Sequence, residues 1–373
     1  MNNRPFGERS GLTVPPVSIG TMRFPADFLQ SVPLARHAID TGVGYVAAGR
    51  RYKESELALG RALRGGYRER VALSTKWCPW IDTKLRDDDD GSARSVRRRI
   101  EESLLRIDVD YLDFYQVWCV NSPETWETAT MSGGMVDGIR KAIEDGLVGH
   151  TGFTTHDKPE HVVQYVEEAD WAEAVTVGYH LLRQDYAPVL EAARRKGIGT
   201  VVMNPVGGGS LTHKSPVFDD LAERVGAVSL PDLAVRFVLS NPNVDTILCG
   251  VNKPSDIDDT VASANRGAFS TEQMEAIQAF VKERSPESVG FCTGCGYCMP
   301  CPNGVKIQRI MGLIYRDRYL GFHDTARAAY RSIKNGTAAD CTRCGECEKK
   351  CTQGLKIMEE LAWAEQEYGM HRG

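Results

Sequence analysis

Residues 148–203 read VGHTGFTTHDKPEHVVQYVEEADWAEAVTVGYHLLRQDYAPVLEAARRKGIGTVVM. Short apolar runs alternate here with amphipathic helical patterns. Strands are predicted at Val148–Phe153, Ala174–Tyr179 and Gly199–Met203, and helices at Lys158–Glu168 and Tyr186–Lys196. An alternation this regular implies an all-parallel sheet.

The pattern extends in both directions. Towards the N-terminus, strands are expected at Val17–Met22, Tyr45–Ala47, Val71–Lys76 and Tyr111–Val117. Helices follow them at Pro33–Thr41, Ser55–Arg64, Ser92–Ile107 and Met135–Glu144. In the third of these, Val96, Ile100 and Leu104 recur at helical spacing. The acidic run Asp87–Asp90 before it reads as a solvated loop at a helix N-terminus. Towards the C-terminus, a helical region from Val217 to Ser240 breaks near Gly226 and restarts by Pro231, where proline suits a first turn. Thr246–Cys249 is the last strand, a helix follows at Ser255–Ser263, and the capping-box pattern Ser270-x-x-Gln273 opens another to Arg284. Eight β-then-α units in order close most naturally into a (β/α)8 TIM barrel. An open doubly wound sheet is disfavoured, because no G-x-G-x-x-G follows the first strand.

Beyond the barrel the composition changes. Residues 291–304 read FCTGCGYCMPCPNG, and 340–354 read DCTRCGECEKKCTQG. The first run spaces Cys292, Cys295, Cys298 and Cys301 as C-x2-C-x2-C-x2-C-P; the second spaces Cys341, Cys344, Cys347 and Cys351 as C-x2-C-x2-C-x3-C. Such spacing lets successive thiolates wrap one cluster edge, with glycines giving the backbone room. Two runs of this kind resemble the two-cluster bacterial ferredoxins, in which the fourth cysteine of each run ligates the other cluster. That resemblance implies two [4Fe–4S] clusters, one on Cys292, Cys295, Cys298 and Cys351, the other on Cys341, Cys344, Cys347 and Cys301. The first run departs from the ferredoxin pattern in having x2 before its last cysteine, and Thr352 stands where proline is usual. Zinc ribbons, with two C-x2-C pairs, would leave half of these cysteines unexplained. The intervening IQRIMGLIY and ARAAYRSI look helical, as does Leu355–Tyr368. The expected division is therefore a barrel over residues 1–284 and a mainly α-helical, ferredoxin-like domain over 285–373.

Composition agrees with this division. A chain of 373 residues accommodates one barrel of roughly 250 residues and a small domain. The net charge of −5 argues against a general nucleic-acid surface, and no apolar run is long enough to span a bilayer. The N-terminal MNNRPFGERSG has no apolar core of a secretory signal. Eleven cysteines without such a signal point to a reducing cytoplasm and to metal ligation, not to disulfides.

In a barrel of this kind, chemistry sits at the C-terminal strand ends. Those positions hold Met22 and Arg23, Ala47, Lys76, Trp118 and Cys119, Thr155 and His156, Tyr179 and His180, Asn204 and Gly250. A lysine ending a buried strand needs a polar partner or water. Tyr52, in the loop after the second strand, is suited to that role. An ammonium beside a phenol stabilises the phenolate, lowers its pKa and makes it a better general acid.

Residues 4–285 resemble the aldo-keto reductases. The likeness is carried in order by RPFGERSGLTVPPVSIGTMRF, GYVAAGRRYKESELALGRAL, VALSTKW, VDYLDFYQVW, GLVGHTGFTTHD, VMNPVGGGSL and RFVLSNPNVDTILCGVNKPSDIDD. With its tail, the chain is similar to the iron–sulfur subgroup of that family. The resemblance implies a site of Asp, Tyr, Lys and His around a nicotinamide. Here the Tyr and Lys are kept as Tyr52 and Lys76, while the Asp position is Ala47 and the His position is Trp118. The nicotinamide contacts map onto Thr154 and Thr155, Thr176 and Tyr179; the adenine contacts map onto Asp259 and Thr260. The 2′-phosphate cluster is reduced to Lys253, and Gly207, Gly208 and Gly209 form a loop that could approach a pyrophosphate.

The remaining mouth residues have bland readings beside the functional ones. Arg23, Trp118, Cys119, His156, His180 and Asn204 form a candidate substrate pocket. The histidines are as readily satisfied polar groups, and Trp118 a filler of vacated space. Cys78, Cys119 and Cys249 read as small buried hydrophobes. The sequence thus predicts a cytoplasmic iron–sulfur oxidoreductase. A small-molecule substrate is held in the barrel, Tyr52 and Lys76 relay a proton, and an electron donor of the ferredoxin or flavodoxin type is the partner. Two alternatives stand beside it: an NAD(P)H-dependent carbonyl reductase with an accessory cluster domain, with NADP(H) as cofactor, and a non-redox lyase or ligand-binding barrel whose clusters are structural.

Overall fold

The computed structural model describes residues 1–81 and 89–369. Eight parallel strands close into a barrel, each pairing with its neighbours in sequence: β3 (Val17–Gly20), β4 (Tyr45–Ala47), β5 (Ala72–Trp77), β6 (Leu112–Val117), β7 (Val148–Thr154), β8 (Ala174–Gly178), β9 (Gly199–Met203) and β10 (Thr246–Gly250), with β10 pairing back onto β3. Every predicted strand is present within a residue or two of its expected bounds. The strands are buried nearly throughout, as a sheet covered on both faces requires. Gly152 is needed where β7 approaches β8, since a Cβ there would lie 2.0 Å from the Ala174 carbonyl oxygen.

Helices fill the connections. In α3 (Ala93–Ile107) Ser92 caps the Ser95 N–H, Val96, Ile100 and Leu104 are buried, and Asp108 ends the helix in the left-handed region. The Ser270–Gln273 capping box opens α11 (Thr271–Glu283) as predicted. The expected break near Gly226 separates α8 (Pro216–Arg224) from α9 (Leu230–Leu239). Three features differ from expectation. Helix α1 runs Phe28–Asp40 and starts five residues early, because the Asp27 side chain accepts the Leu29 N–H and supplies a cap ahead of Pro33. Helix α4 (Pro123–Thr130), capped by Ser122 and Thr125, is additional. A short hairpin, β1 (Arg4–Pro5) and β2 (Thr13–Val14), precedes the barrel. Its Phe6 is fully buried against Tyr45 and Phe114, and the Gly7 N–H donates to Asp245 at 3.1 Å. That hairpin covers the N-terminal end of the barrel and leaves the C-terminal end for chemistry.

The acidic run is not a simple solvated loop. Asp87 and Asp88 lie outside the described residues, but the Asp89 carboxylate is buried and paired with Arg98 and Arg99. Asp90 accepts the Ser92 N–H at 2.9 Å.

By its internal contacts the chain forms two compact units, residues 1–208 with 234–268, and residues 209–233 with 269–373. The first holds the whole barrel sheet. The second takes in α8 and α11 with the cysteine-rich segment. Its own core lies between α12 (Ile307–Arg318), α13 (His323–Arg331) and α15 (Ile357–Tyr368), through Ile310, Met311, Ile314, Tyr330, Leu361 and Tyr368. The segment is helical, as the sequence predicts. Among the described residues no helix is long and apolar enough to cross a membrane.

Candidate functional site

The barrel mouth is built around Lys76 near the end of β5. After β4 the chain continues the sheet register: the Ala48 N–H donates to the Ser74 carbonyl at 2.8 Å and the Arg50 N–H to the Lys76 carbonyl at 3.1 Å. A turn closed by the Tyr52 N–H on the Gly49 carbonyl then brings the Tyr52 ring back beside Lys76. The Lys76 side chain is buried, and its Nζ donates to the Ala48 carbonyl at 2.6 Å. It lies over two aromatic faces, 4.9 Å from the centroid of Tyr52 and 5.7 Å from that of Trp118. The two rings meet edge to face at 5.0 Å. Tyr52, Lys76 and Trp118 therefore form one cluster.

Its electrostatics correct one expectation. Burial, with the Cys119 thiol adding to it, pushes the Tyr52 phenol up, not down. The ammonium sits over the ring and hydrogen-bonds to a backbone carbonyl. Burial lowers Lys76 to about 8, against opposing contributions from Cys119 and Glu56. The phenol thus stays protonated across the neutral range, and the lysine is the member of the pair that titrates near it.

Trp118 and Cys119 are held by the turn after β6. Cys119 has φ of 53°, its N–H donates to Thr154 Oγ1 at 2.9 Å, and its carbonyl accepts from Trp80 Nε1 at 2.7 Å. Burial raises its thiol. Of the residues mapped onto cofactor contacts, several have partners within the fold. Thr154 takes the Cys119 N–H, Thr155 Oγ1 donates to the Val120 carbonyl at 2.5 Å, and Thr176 Oγ1 donates to Gln116 at 3.2 Å. Tyr179 is buried and stacked on Phe237 at 5.7 Å. Lys253 is exposed, at the start of α10 (Pro254–Asn265) and 3.9 Å from Asp256.

The other candidates are spread around the rim. Arg23 donates to the Gly208 carbonyl at 2.8 Å, and its side chain packs where a Cβ on Gly250 would stand. Asn204 adopts φ of 59°, and its carbonyl accepts the Gly207 N–H. The His156 N–H donates to Asn121 at 2.8 Å with its side chain exposed, and His180 Nδ1 accepts the Leu182 N–H at 3.2 Å. His180 thus serves the local turn. Neither histidine enters the contacts that join Lys76, Tyr52 and Trp118.

Sequence reading missed the support behind this cluster. Glu56, on α2 (Ser55–Ala62), is 1% exposed and accepts from Thr75 Oγ1 at 2.9 Å, Ser103 Oγ at 2.8 Å and Arg106 Nε at 2.9 Å. Arg50, in the loop that carries Tyr52, lies 3.9 Å from Glu56 and 3.2 Å from Glu102. The visible signal was a carboxylate in the first turn of α2, ordinary by itself. Removing one partner of a buried ionic network leaves the others uncompensated. Glu56→Ala is expected to lower stability by about 3–5 kcal/mol, measured by denaturant unfolding.

In the second unit the eight cysteines stand in two groups. Cys301, Cys341, Cys344 and Cys347 line one small cavity, together with Cys298, Lys350 and Met358. Cys292 and Cys298 each lie within electrostatic range of Cys295 and Cys351, and Cys295 Sγ lies 3.9 Å from Thr352 Oγ1. Cys301 thus lies on the same wall as Cys341, Cys344 and Cys347, and Cys351 lies near Cys292 and Cys298. The thiols on the cavity wall are the donor type that an iron–sulfur cluster takes. Among the described residues no three or more His, Cys, Asp or Glu side chains gather as a single metal ion requires.

Comparison with known proteins agrees with both halves. Residues 16–282 match the aldo/keto reductase family and residues 291–356 a 4Fe-4S dicluster domain. The chain is 22% identical over 318 residues to the uncharacterized oxidoreductase YqkF of Bacillus subtilis, covering 76% of this chain and 97% of that protein. It is 22% identical over 326 residues to L-glyceraldehyde 3-phosphate reductase of Escherichia coli O157:H7, covering 74% and 91%. The holo form of the aldo-keto reductase AKR11C1 from Bacillus halodurans superimposes with a TM-score of 0.66 at 19% identity, over 75% of this chain and 96% of that one. An eight-stranded parallel barrel with this sequence order, followed by a dicluster domain, identifies the chain as an oxidoreductase that belongs to the aldo/keto reductase family.

Proposed function

We propose that this oxidoreductase reduces or oxidises a small molecule at the barrel mouth with electrons carried by two [4Fe–4S] clusters, and that Tyr52 moves the proton. The observation that carries this reading is the surviving pair. Tyr52 and Lys76 are packed together beside Trp118, and the resemblance to the family sets Ala47 and Trp118 where its other two catalytic groups would stand. Cys292, Cys295, Cys298 and Cys351 would hold one cluster and Cys301, Cys341, Cys344 and Cys347 the other. Such clusters, when bound, supply one-electron transfers. For a carbonyl substrate, reduction takes up two electrons and two protons. Tyr52 gives one of those protons to the substrate oxygen, and the carbon takes the other from water. A neutral phenol with a raised pKa is matched to a strongly basic acceptor such as a developing alkoxide. Lys76 fixes the ring from its face and keeps positive charge at the mouth.

Lys76 also sets a pH dependence. Because burial lowers the amine to about 8 from its ordinary 10.5, the ammonium is present below that pH and lost above it. Turnover is expected to fall as pH rises through about 8. A Lys76→Met enzyme should lack that limb of the pH–rate profile. The linkage runs the other way for stability. Between about 8 and 10.5 the unfolded chain binds the proton and the folded one does not, so this group's contribution to stability rises with pH across the window.

Nicotinamide is held weakly on this reading. Thr154, Thr155 and Thr176 are engaged within the fold, and Lys253 alone stands for the 2′-phosphate cluster. Several hydrogen bonds of about 1 kcal/mol each are missing, which corresponds to roughly a hundredfold or more in affinity. Fluorescence titration with NADPH is expected to show no saturable binding in the micromolar range. A micromolar dissociation constant would favour a nicotinamide-dependent carbonyl reductase with an accessory cluster domain.

A further inference from the structure

The two cysteine loops are copies of one another. Residues 292–298 read CTGCGYC and residues 341–347 read CTRCGEC, so cysteines, threonines and one glycine coincide. The backbones coincide too: Gly294 and Arg343 have φ of 75° and 57°, and Gly296 and Gly345 have φ of 81° and 79°. At the third position the first loop uses glycine, the residue for which a left-handed conformation carries no steric cost. The second loop places an arginine there, against that cost. Arg343 is exposed and, among the described residues, has no ion-pair or hydrogen-bond partner for its guanidinium. No local interaction of the side chain explains its presence.

The charge around the two loops differs in the same sense. From Phe291 to Val305 there is no charged side chain. Around the second loop Arg343 adjoins Cys344, Lys349 lies within electrostatic range of that thiol, and Lys350 lines the cavity it shares with Cys301, Cys341 and Cys347. Glu346 pairs with Lys349 at 2.6 Å and also lies within electrostatic range of Lys350, and Glu348 takes the Met358 N–H at 2.8 Å. Arg343 is left facing solvent beside the exposed Cys344 with no carboxylate paired to it among the described residues, and Lys350 is exposed two residues beyond Glu348. A left-handed arginine at an exposed loop edge carries a conformational cost that the glycine of the sister loop avoids.

We propose that Arg343, backed by Lys350, is the docking contact for an acidic one-electron carrier protein, and that electrons enter through the cluster of Cys301, Cys341, Cys344 and Cys347. One electron leaves the reduced carrier, which is oxidised, and that cluster is reduced by one. The uncharged first loop, with Tyr297 exposed, is not the entry side. The inference rests on the electron-transfer reading above and adds to it a partner and a face.

Arg343→Gly tests it without endangering the fold, because glycine restores what the sister loop already has. Full-length protein with loaded clusters is mixed anaerobically with two reductants: a reduced acidic ferredoxin, and reduced methyl viologen, a small cation. Affinity for the oxidised ferredoxin is measured separately, away from any turnover. In Arg343→Gly, reduction by ferredoxin at low salt is expected to slow roughly three- to tenfold, with a shallower salt dependence and weaker binding, and Arg343→Lys should restore most of the loss. Reduction by methyl viologen should not slow. Equal rates, equal salt dependence and equal affinity in wild type and Arg343→Gly would overturn this proposal alone. Clusters that accept no electron from either donor would overturn it together with the electron-transfer reading.

Discussion

A chain lacking Cys292, Cys295 and Cys298 is expected to retain about four iron atoms when Cys351 is also changed to alanine, and to lose them when Cys301 is changed instead. The intact protein should carry about eight iron and about eight sulfide. The reason is the exchange of partners between the runs. Cys301 lines the same cavity as Cys341, Cys344 and Cys347, while Cys351 is within electrostatic range of Cys292 and Cys298. The two sets pack against one helical core that includes Ile310, Leu361 and Ile357, so removing one set leaves the scaffold of the other in place. Anaerobic iron analysis with EPR of the reduced variants reads the outcome. The opposite dependence, on Cys351 and not Cys301, would mean that each run holds its own cluster. Zinc in place of iron would end the cluster reading.

Tyr52→Phe is expected to lower turnover by about 10²–10⁴-fold with cluster spectra unchanged, the usual contribution of a general acid or base. The substitution keeps the ring that touches Trp118 and lies under Lys76 Nζ, and removes only the hydroxyl. Stability should therefore change little. The KM for a small substrate should move less than kcat, because the proton is transferred in the reaction step and not in binding. A fully loaded Tyr52→Phe protein with wild-type turnover would make the pair structural and shift the chemistry to His156, His180 or Cys119, of which Cys119 is in electrostatic contact with Lys76.

Much of this architecture was legible because it rests on local pattern. Runs such as YLDFYQVW and AVTVGYH are short, apolar and separated by amphipathic helices, and parallel strands buried on both faces leave few other arrangements. The cysteine spacing carried its own geometry. Elements set by local capping were harder to see. Asp27 starts α1 five residues ahead of the proline that marked its expected beginning, and Ser122 with Thr125 builds α4 out of a stretch with little periodicity. Partner choice in the interior was not legible at all. Asp89 belongs to an acidic run and is nonetheless buried between arginines, and Glu56 sits on an amphipathic helix yet is the hub of the network behind Lys76. The direction of the Tyr52 shift differs from expectation for the same reason. Proximity of an ammonium was visible in the sequence, while its placement over the ring, and the burial that outweighs it, depend on three-dimensional packing.

The central claim is that the barrel takes its electrons from the clusters and not from a nicotinamide. The most direct measurement starts from protein photoreduced anaerobically, freed of excess reductant and mixed with a panel of small aldehydes and ketones without NADPH. The account predicts that the bleached visible absorbance of the clusters returns on mixing with a substrate, with one molecule of the two-electron product formed for every two electrons released. Clusters that stay reduced throughout, while added NADPH yields the same product, would contradict it.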